Sequence, residues 1–353
     1  MVISLTQARG LYTSKLAAVY QERPPMGSFL RSLFKTTTVP TKYVKIEVER
    51  MGEPVAIDVV RGTEGNRNTF SLSSEKTFYP PYYREFFDAT ELDIYDRVLG
   101  SQNDFNGDLF VALLNEVGDR MGTLVNKIER SKELMCSQVL ETGIVTLKNG
   151  DDINYKRKTA SIVDAGAGNY FADAATNPFA MFEAGAKFLR EVGMSGDGVF
   201  NAILGSEALT DLLANVKFLA RQNTFNMALD AVQGPVRDNN TGATFHGTIT
   251  AGSYKVQLWA YTNVYKHPTT GTITPYVNPK LVTMLPLVPK FIMAHAAVPQ
   301  LIGQPGQMPK QGEYVFQDFI DERLATHEHH VLSAPLPIPV AVDQIYTFRG
   351  KAA

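Results

Sequence analysis

The densest group of metal-capable side chains in the sequence is His327-Glu328-His329-His330. On a strand, residues two apart share a face, so His327 and His329 present two imidazoles together and could hold zinc. Zinc with an activated water would be the chemistry of a metal-dependent hydrolase. The spacing is neither the helical His-Glu-x-x-His pair nor any cysteine–histidine pattern. A polar strand face at a subunit surface accounts for the run more simply.

The other motifs are weaker. Asp104-x-Asn106-Gly107-Asp108 lacks the acidic ligand spacing and the closing glutamate of a calcium loop, and helix capping explains it better. Gly166-Ala167-Gly168 has no third glycine and no preceding strand, so it is not a dinucleotide fingerprint, and no phosphate loop of the Gly-x-x-x-x-Gly-Lys type occurs. Gly205-Ser206-Glu207 is not a nucleophile elbow. Cys136 is the sole cysteine, which excludes an internal disulfide framework and fits folding in a reducing compartment. Trp259, between Leu258 and Tyr261, reads as core or interface. No catalytic, cofactor or metal site emerges, and the chain reads as non-enzymatic.

Composition bounds what remains. The chain has 353 residues, more than one core usually serves, so two or more packed subregions are expected. Hydrophobic residues make up 44% and charged residues 20%, ordinary values for a folded protein. No apolar run approaches the roughly 20 residues of a membrane span, and the start Met1-Val2-Ile3-Ser4-Leu5 does not read as a signal peptide. The net charge of −2 argues against a dedicated nucleic-acid binder. The first 50 residues nevertheless hold eight basic residues against three acidic ones. A basic segment of this kind suits an arm that meets acidic surface on a neighbour or on packaged nucleic acid.

The elements that would carry any site follow from periodicity. Residues 1–40 are irregular, with one helical stretch near Leu5–Tyr20 and a compact apolar patch of Phe29, Leu30, Leu33 and Phe34; such a segment is expected to lie across something else. From Tyr43 the sequence alternates, with Val44, Ile46 and Val48 on one face and Lys45, Glu47 and Glu49 on the other. A second strand is predicted over Val55–Val60, followed by a polar tip from Arg61 to Asn68 and a return through Pro80-Pro81. This long hairpin is marginal alone. A helix is predicted from a cap at Asn103 or Asp104 to a stop at Gly143, with its apolar stripe running from Phe110 through Ile128 to Val139. Thr146–Lys158 reads as a hairpin about Asn149-Gly150. Helices are expected over Pro178–Glu191, Ser206–Leu213 and part of 214–235, and a buried strand over Val199–Leu204. Further strands are expected over Thr244–Ile249, Lys255–Tyr261, Leu281–Leu287 and Gln344–Arg349, with a loop over Gln300–Gln311.

The order of these parts resembles the lambda-type major capsid protein of tailed bacteriophages (the phage major capsid protein E family). The resemblance covers nearly the whole chain. It rests on Ala56-Ile57-Asp58-Val59-Val60-Arg61-Gly62, on Tyr79-Pro80-Pro81-Tyr82-Tyr83, and on His330-Val331-Leu332-Ser333-Ala334-Pro335-Leu336. It implies an α+β chain of the HK97-like phage capsid fold. An N-terminal arm would span 1–40, an extended β-hairpin loop 41–86, a peripheral domain with a long spine helix 87–170, and an axial domain 171–320. Strands in 321–353 would return to the peripheral domain.

The resemblance further implies self-assembly as hexamers and pentamers into an icosahedral head around double-stranded DNA. Assembly would pass through a procapsid built on a separate scaffolding protein, with a portal protein at one vertex and in some cases a decoration protein. No membrane and no cofactor are implied, and no covalent cross-link is predicted. The expected interface residues are Phe29, Leu30, Leu33, Phe34, Val55, Ile57, Val59, Val60, Arg61, Arg67 and Asn68. The rival readings are a tail or decoration component and, more remotely, a hydrolase using His327 and His329.

Overall fold

A computed structural model describes residues 28–48, 74–90, 109–147, 152–225, 236–237, 242–299, 310–321 and 326–352. The predicted Leu5–Tyr20 helix, the Val55–Val60 strand, the Arg61–Asn68 tip, the Asn103 and Asp104 cap and the Asn149-Gly150 turn lie outside these residues.

Two helices pack on each other: the single turn α1, Phe29–Ser32, and the 33-residue spine α2, Leu109–Glu141. At ~1.5 Å per residue α2 is about 50 Å long. Its stripe splits between two cores. Val117, Met121, Val125 and Ile128 pack with Val331, whereas Met135, Cys136, Val139 and Leu140 join a larger cluster. Gly143 ends the helix as its spacing predicted: at φ +74° it returns its N–H to the Val139 carbonyl (3.0 Å). The left-handed conformation is one that glycine adopts without penalty. Arg157 closes the same end, donating Nη1 to the carbonyls of Leu140 (2.9 Å) and Glu141 (3.0 Å). These are carbonyls that the helix itself leaves without partners.

The largest sheet has seven strands, in the order 162–163, 346–349, 281–286, 199–204, 254–260, 244–251 and 236–237. The Val199–Leu204 strand is central and runs parallel to Tyr254–Ala260 and antiparallel to Leu281–Pro286. Phe200, Ala202 and Leu204 belong to the core built with α3 (Pro178–Glu191), α4 (Ser206–Ala214) and α5 (Val216–Phe225). Ile203, on the opposite face, belongs to the α2 core. A strand covered on both faces reads as a continuous apolar run, which is how this one was legible. At the head of α3, the Asn177 side chain accepts the Phe179 N–H and Pro178 occupies the first turn, where its missing N–H costs nothing.

From Leu281 onward the strands are divided among three sheets. Thr326–Ser333 is the middle strand of a three-stranded sheet, between Val315–Asp321 and Tyr83–Thr90. Pro335–Pro339 pairs with Phe291–His295, which also takes Lys35–Thr38 in parallel. Its three prolines are tolerated because the strand lies at the sheet edge. The last strand lies in a different sheet again. Tyr346–Arg349 is an inner strand of the seven-stranded sheet, between Leu281–Pro286 and Ile162–Val163. Tyr346 and Phe348 are buried against the α3 core, and it is this alternation that draws the strand inward.

Candidate assembly surfaces

The arm-side segment is tied to the spine by a buried polar cluster. Ser28 precedes α1 without a side-chain cap bond, and the cap comes from elsewhere. The Glu133 carboxylate on α2 accepts the N–H groups of Leu30 (2.9 Å) and Arg31 (2.8 Å). Burial raises the pKa of Glu133, while hydrogen bonds from Tyr261 and from those two amides pull it back. The residue before it, Lys132, is fully buried and donates to Glu129 (3.0 Å), Glu313 (3.0 Å) and the Tyr314 hydroxyl (2.7 Å). Arg31 Nη2 reaches the same Glu313 at 2.7 Å. Burial opposes ionisation of Glu313, yet Lys132 and Arg31 overcome it and hold the carboxyl down to about 2. Burial and the neighbouring Lys132 charge lower His295 to about 3.

Apolar contacts complete the latch. Phe29 packs on Trp259 and Tyr261, and Phe34 stacks on Phe291 with ring centroids 5.0 Å apart. Phe29, Leu30 and Phe34 are buried within the chain itself, and Leu33 is half-buried against them. Their side chains are enclosed by the subunit's own spine and sheets. The capped turn and the pairing of Lys35–Thr38 with Phe291–His295 hold this segment against the spine and the sheets. Val55, Ile57, Val59, Val60, Arg61, Arg67 and Asn68 lie outside the described residues.

The expected hairpin begins as predicted. Val44–Val48 pairs antiparallel with Ser74–Phe78, Val44 opposite Phe78, as a ribbon of two strands with no further strand beside it among the described residues. Residues 49–73 join its two strands. Val44 is buried, and Phe78 packs beside Tyr155 at 5.6 Å, so the ribbon is rooted in the α2 core.

The histidine run lies on Thr326–Ser333, with His329 and His330 on opposite faces of the strand and both buried. His329 is buried with Nδ1 2.8 Å from Asp318 Oδ1. His330 sits between the Phe86 ring, stacked at 4.9 Å, and the Phe319 ring, edge-on at 4.8 Å. Its Nε2 meets Glu328 at 2.9 Å and its Nδ1 accepts from Arg84 Nε at 3.2 Å. Among the described residues no three histidine, cysteine or acidic side chains converge as a metal site. His327 and His329 lie with ring centroids 4.5 Å apart, and the rings of the run pack within their own sheet.

The Glu129, Lys132, Glu133 and Glu313 cluster was not anticipated. A signal was present: Lys132 stands on the apolar stripe, four residues after Ile128 and four before Cys136. A lysine at a core position requires buried carboxylates.

The architecture is the HK97-like phage capsid fold, and the class of protein is a shell subunit. A crystal structure assigned as the capsid protein of a prophage in E. coli CFT073 superposes with a TM-score of 0.62 at 16% identity, over 99% of each chain. A phage-related protein from Bordetella bronchiseptica RB50 gives 0.57 at 10% identity over 96% of each. No individually curated protein matches. The chain belongs to the phage major capsid protein E family, whose model matches residues 12–349. It is a structural component of the virion and not an enzyme. No helix among the described residues is long and apolar enough to cross a membrane.

Proposed function

We infer that this chain assembles as hexamers and pentamers into an icosahedral head that encloses double-stranded DNA. The head forms in the host cytoplasm from a procapsid built on a separate scaffolding protein, and the procapsid then expands. A portal protein occupies one vertex, decoration proteins bind the outer surface where they are used, and packaged DNA is met by non-specific contact. The observation that carries this reading is the ribbon Val44–Val48 with Ser74–Phe78. It is rooted in the α2 core and joined through residues 49–73. A two-stranded ribbon gains too little from its own pairing to stand alone, so a neighbouring subunit is its natural support.

In this division of the chain, 1–40 is the arm, 41–86 the extended loop, 87–170 the peripheral domain and 171–320 the axial domain. Val55, Ile57, Val59 and Val60 supply apolar contact on the neighbour, and Arg61, Arg67 and Asn68 supply polar contact at the tip. Many modest contacts become strong when symmetry closes them into one shell. Deleting residues 62–69 tests the reading. The shortened chain should remain folded by circular dichroism and lose most shell formation by electron microscopy. Normal shells from the deletion would overturn the role given to the loop.

A further inference from the structure

The outer face of the three-stranded sheet carries an apolar patch that the subunit leaves uncovered. The strand Tyr83–Thr90 is eight residues long and pairs on one side with Thr326–Ser333. Its other edge has no strand partner among the described residues. Tyr83 and Phe87 turn inward to pack on α2, so Arg84, Phe86 and Asp88 face outward. Phe86 is 52% exposed, and Tyr82 beside it 46%. A long open edge bearing exposed aromatic rings is an invitation to pair with another chain.

The outward residues are self-complementary. If a second copy of the strand is laid antiparallel with Phe86 opposite Phe86, Arg84 of each copy falls opposite Asp88 of the other. Aromatic pairs and opposite charges are the cross-strand pairs that favour antiparallel strands. Arg84 uses its Nε on His330, which leaves the two terminal nitrogens for a carboxylate. Asp88 forms no ion pair with another described residue. His330 is locked between Phe86 and Phe319, so the Phe86 ring is presented in a fixed orientation. The patch also continues from the hairpin, whose returning strand Ser74–Phe78 leads through Tyr79 into Tyr83–Thr90.

We propose that the Tyr83–Thr90 edge pairs with the same edge of a second copy of this chain about a two-fold axis through Phe86. This joins two three-stranded sheets into one sheet of six strands. A two-fold contact uses one patch twice, which is why its charge pattern must be its own complement. The proposal rests on the shell reading, since it supplies a contact between subunits of one shell, and it commits to a second copy as the occupant.

The direct test is Phe86→Cys. Directly opposite residues in an antiparallel pair lie about 4.5–5.5 Å apart at Cα, inside the roughly 4.4–6.8 Å range of disulfides. The native Cys136 is fully buried and gives a clean background. Mild oxidation of assembled Phe86→Cys should produce a disulfide-linked dimer on a non-reducing gel, with none in the parent. Normal particles that yield only monomer would overturn the pairing. A charge exchange gives a second readout that does not need the cysteine. Arg84→Asp and Asp88→Arg alone should each lower particle yield roughly tenfold or more, because like charges then meet at both ends of the pair. The double exchange should recover it. Normal yields from both single variants, or no recovery in the double, would count against the pairing. If the parent forms no particles, the shell reading fails separately. The disulfide assay in concentrated solution then still decides the pairing: a dimer supports it and monomer alone rejects it.

Discussion

Glu133 caps Leu30 across 103 residues of chain: its carboxylate accepts the Leu30 N–H at 2.9 Å and the Arg31 N–H at 2.8 Å. The first amides of a helix have no partner within it, and a carboxylate at that end also meets the favourable pole of the helix dipole. The one-turn α1 therefore exists because the spine completes it.

Glu133→Ala should release this anchor. Two buried amides would lose their acceptor, at a cost of about 1–3 kcal/mol for leaving such groups unsatisfied. Urea denaturation should show the lower midpoint, and limited trypsin digestion should cut faster at Arg31, which the latch now holds.

Lys132→Met should be more damaging than its similar length suggests. Glu129 and Glu313 would lose the buried ammonium that lies 3.0 Å from each. Breaking a buried pair from one side costs roughly 3–5 kcal/mol, and the lower end applies here because Glu313 retains some access to water. The same substitution combined with Glu129→Leu and Glu313→Gln should recover a substantial part of the lost stability.

Acidification should weaken the subunit from two groups acting in the same direction. His295 has its pKa lowered from 6.5 to about 3, first by burial and then by Lys132. The unfolded chain binds that proton first, so stability falls as pH drops from 6.5 toward 3. Glu313 is held at about 2 against a usual 4.5, so its contribution is full above pH 4.5 and is lost toward pH 2. Glu141, raised to about 7 by burial, acts oppositely and favours the folded chain as pH falls from 7 to 4.5. The steepest loss should therefore lie below pH 4.5, where His295 and Glu313 act without that offset. Thermal melts across pH would show it, and Glu313→Gln should flatten the lower part of the curve.

Gly205→Ala should destabilise the seven-stranded sheet where it hands over to α4. A β-carbon at Gly205 would fall on the carbonyl oxygens of Asn278 and Pro279. These are backbone atoms of the neighbouring connection and cannot swing aside as a side chain would. A cost of about 1–3 kcal/mol is expected for forcing such overlap, read as a lower melting temperature.

Much of this architecture was legible because burial imposes periods on sequence. The stripe from Val117 to Val139 with Gly143 behind it marked the spine, and the apolar run Val199–Leu204 marked a strand covered on both faces. The order of the parts pointed to the family. The latch was less legible: Phe29, Leu30 and Phe34 form an apolar patch whether they cover a neighbour or their own spine. The pairing of Lys35–Thr38 with Phe291–His295, which holds the patch on its own body, is set by residues some 250 positions away. The place of Tyr346–Arg349 was hidden for the same reason, since alternation reveals a strand but not its sheet. The Arg84, Phe86 and Asp88 face required both the pairing and the exposure of the strand.

The central claim is that this chain builds a closed shell. Electron microscopy of the purified, expressed protein tests it most directly, with the scaffolding protein supplied if the subunit alone stays soluble. Closed icosahedral particles or flat sheets of hexamers are the predicted result. Tubes of stacked tail-like rings, or monomers that remain dispersed at high concentration with scaffold present, would contradict it.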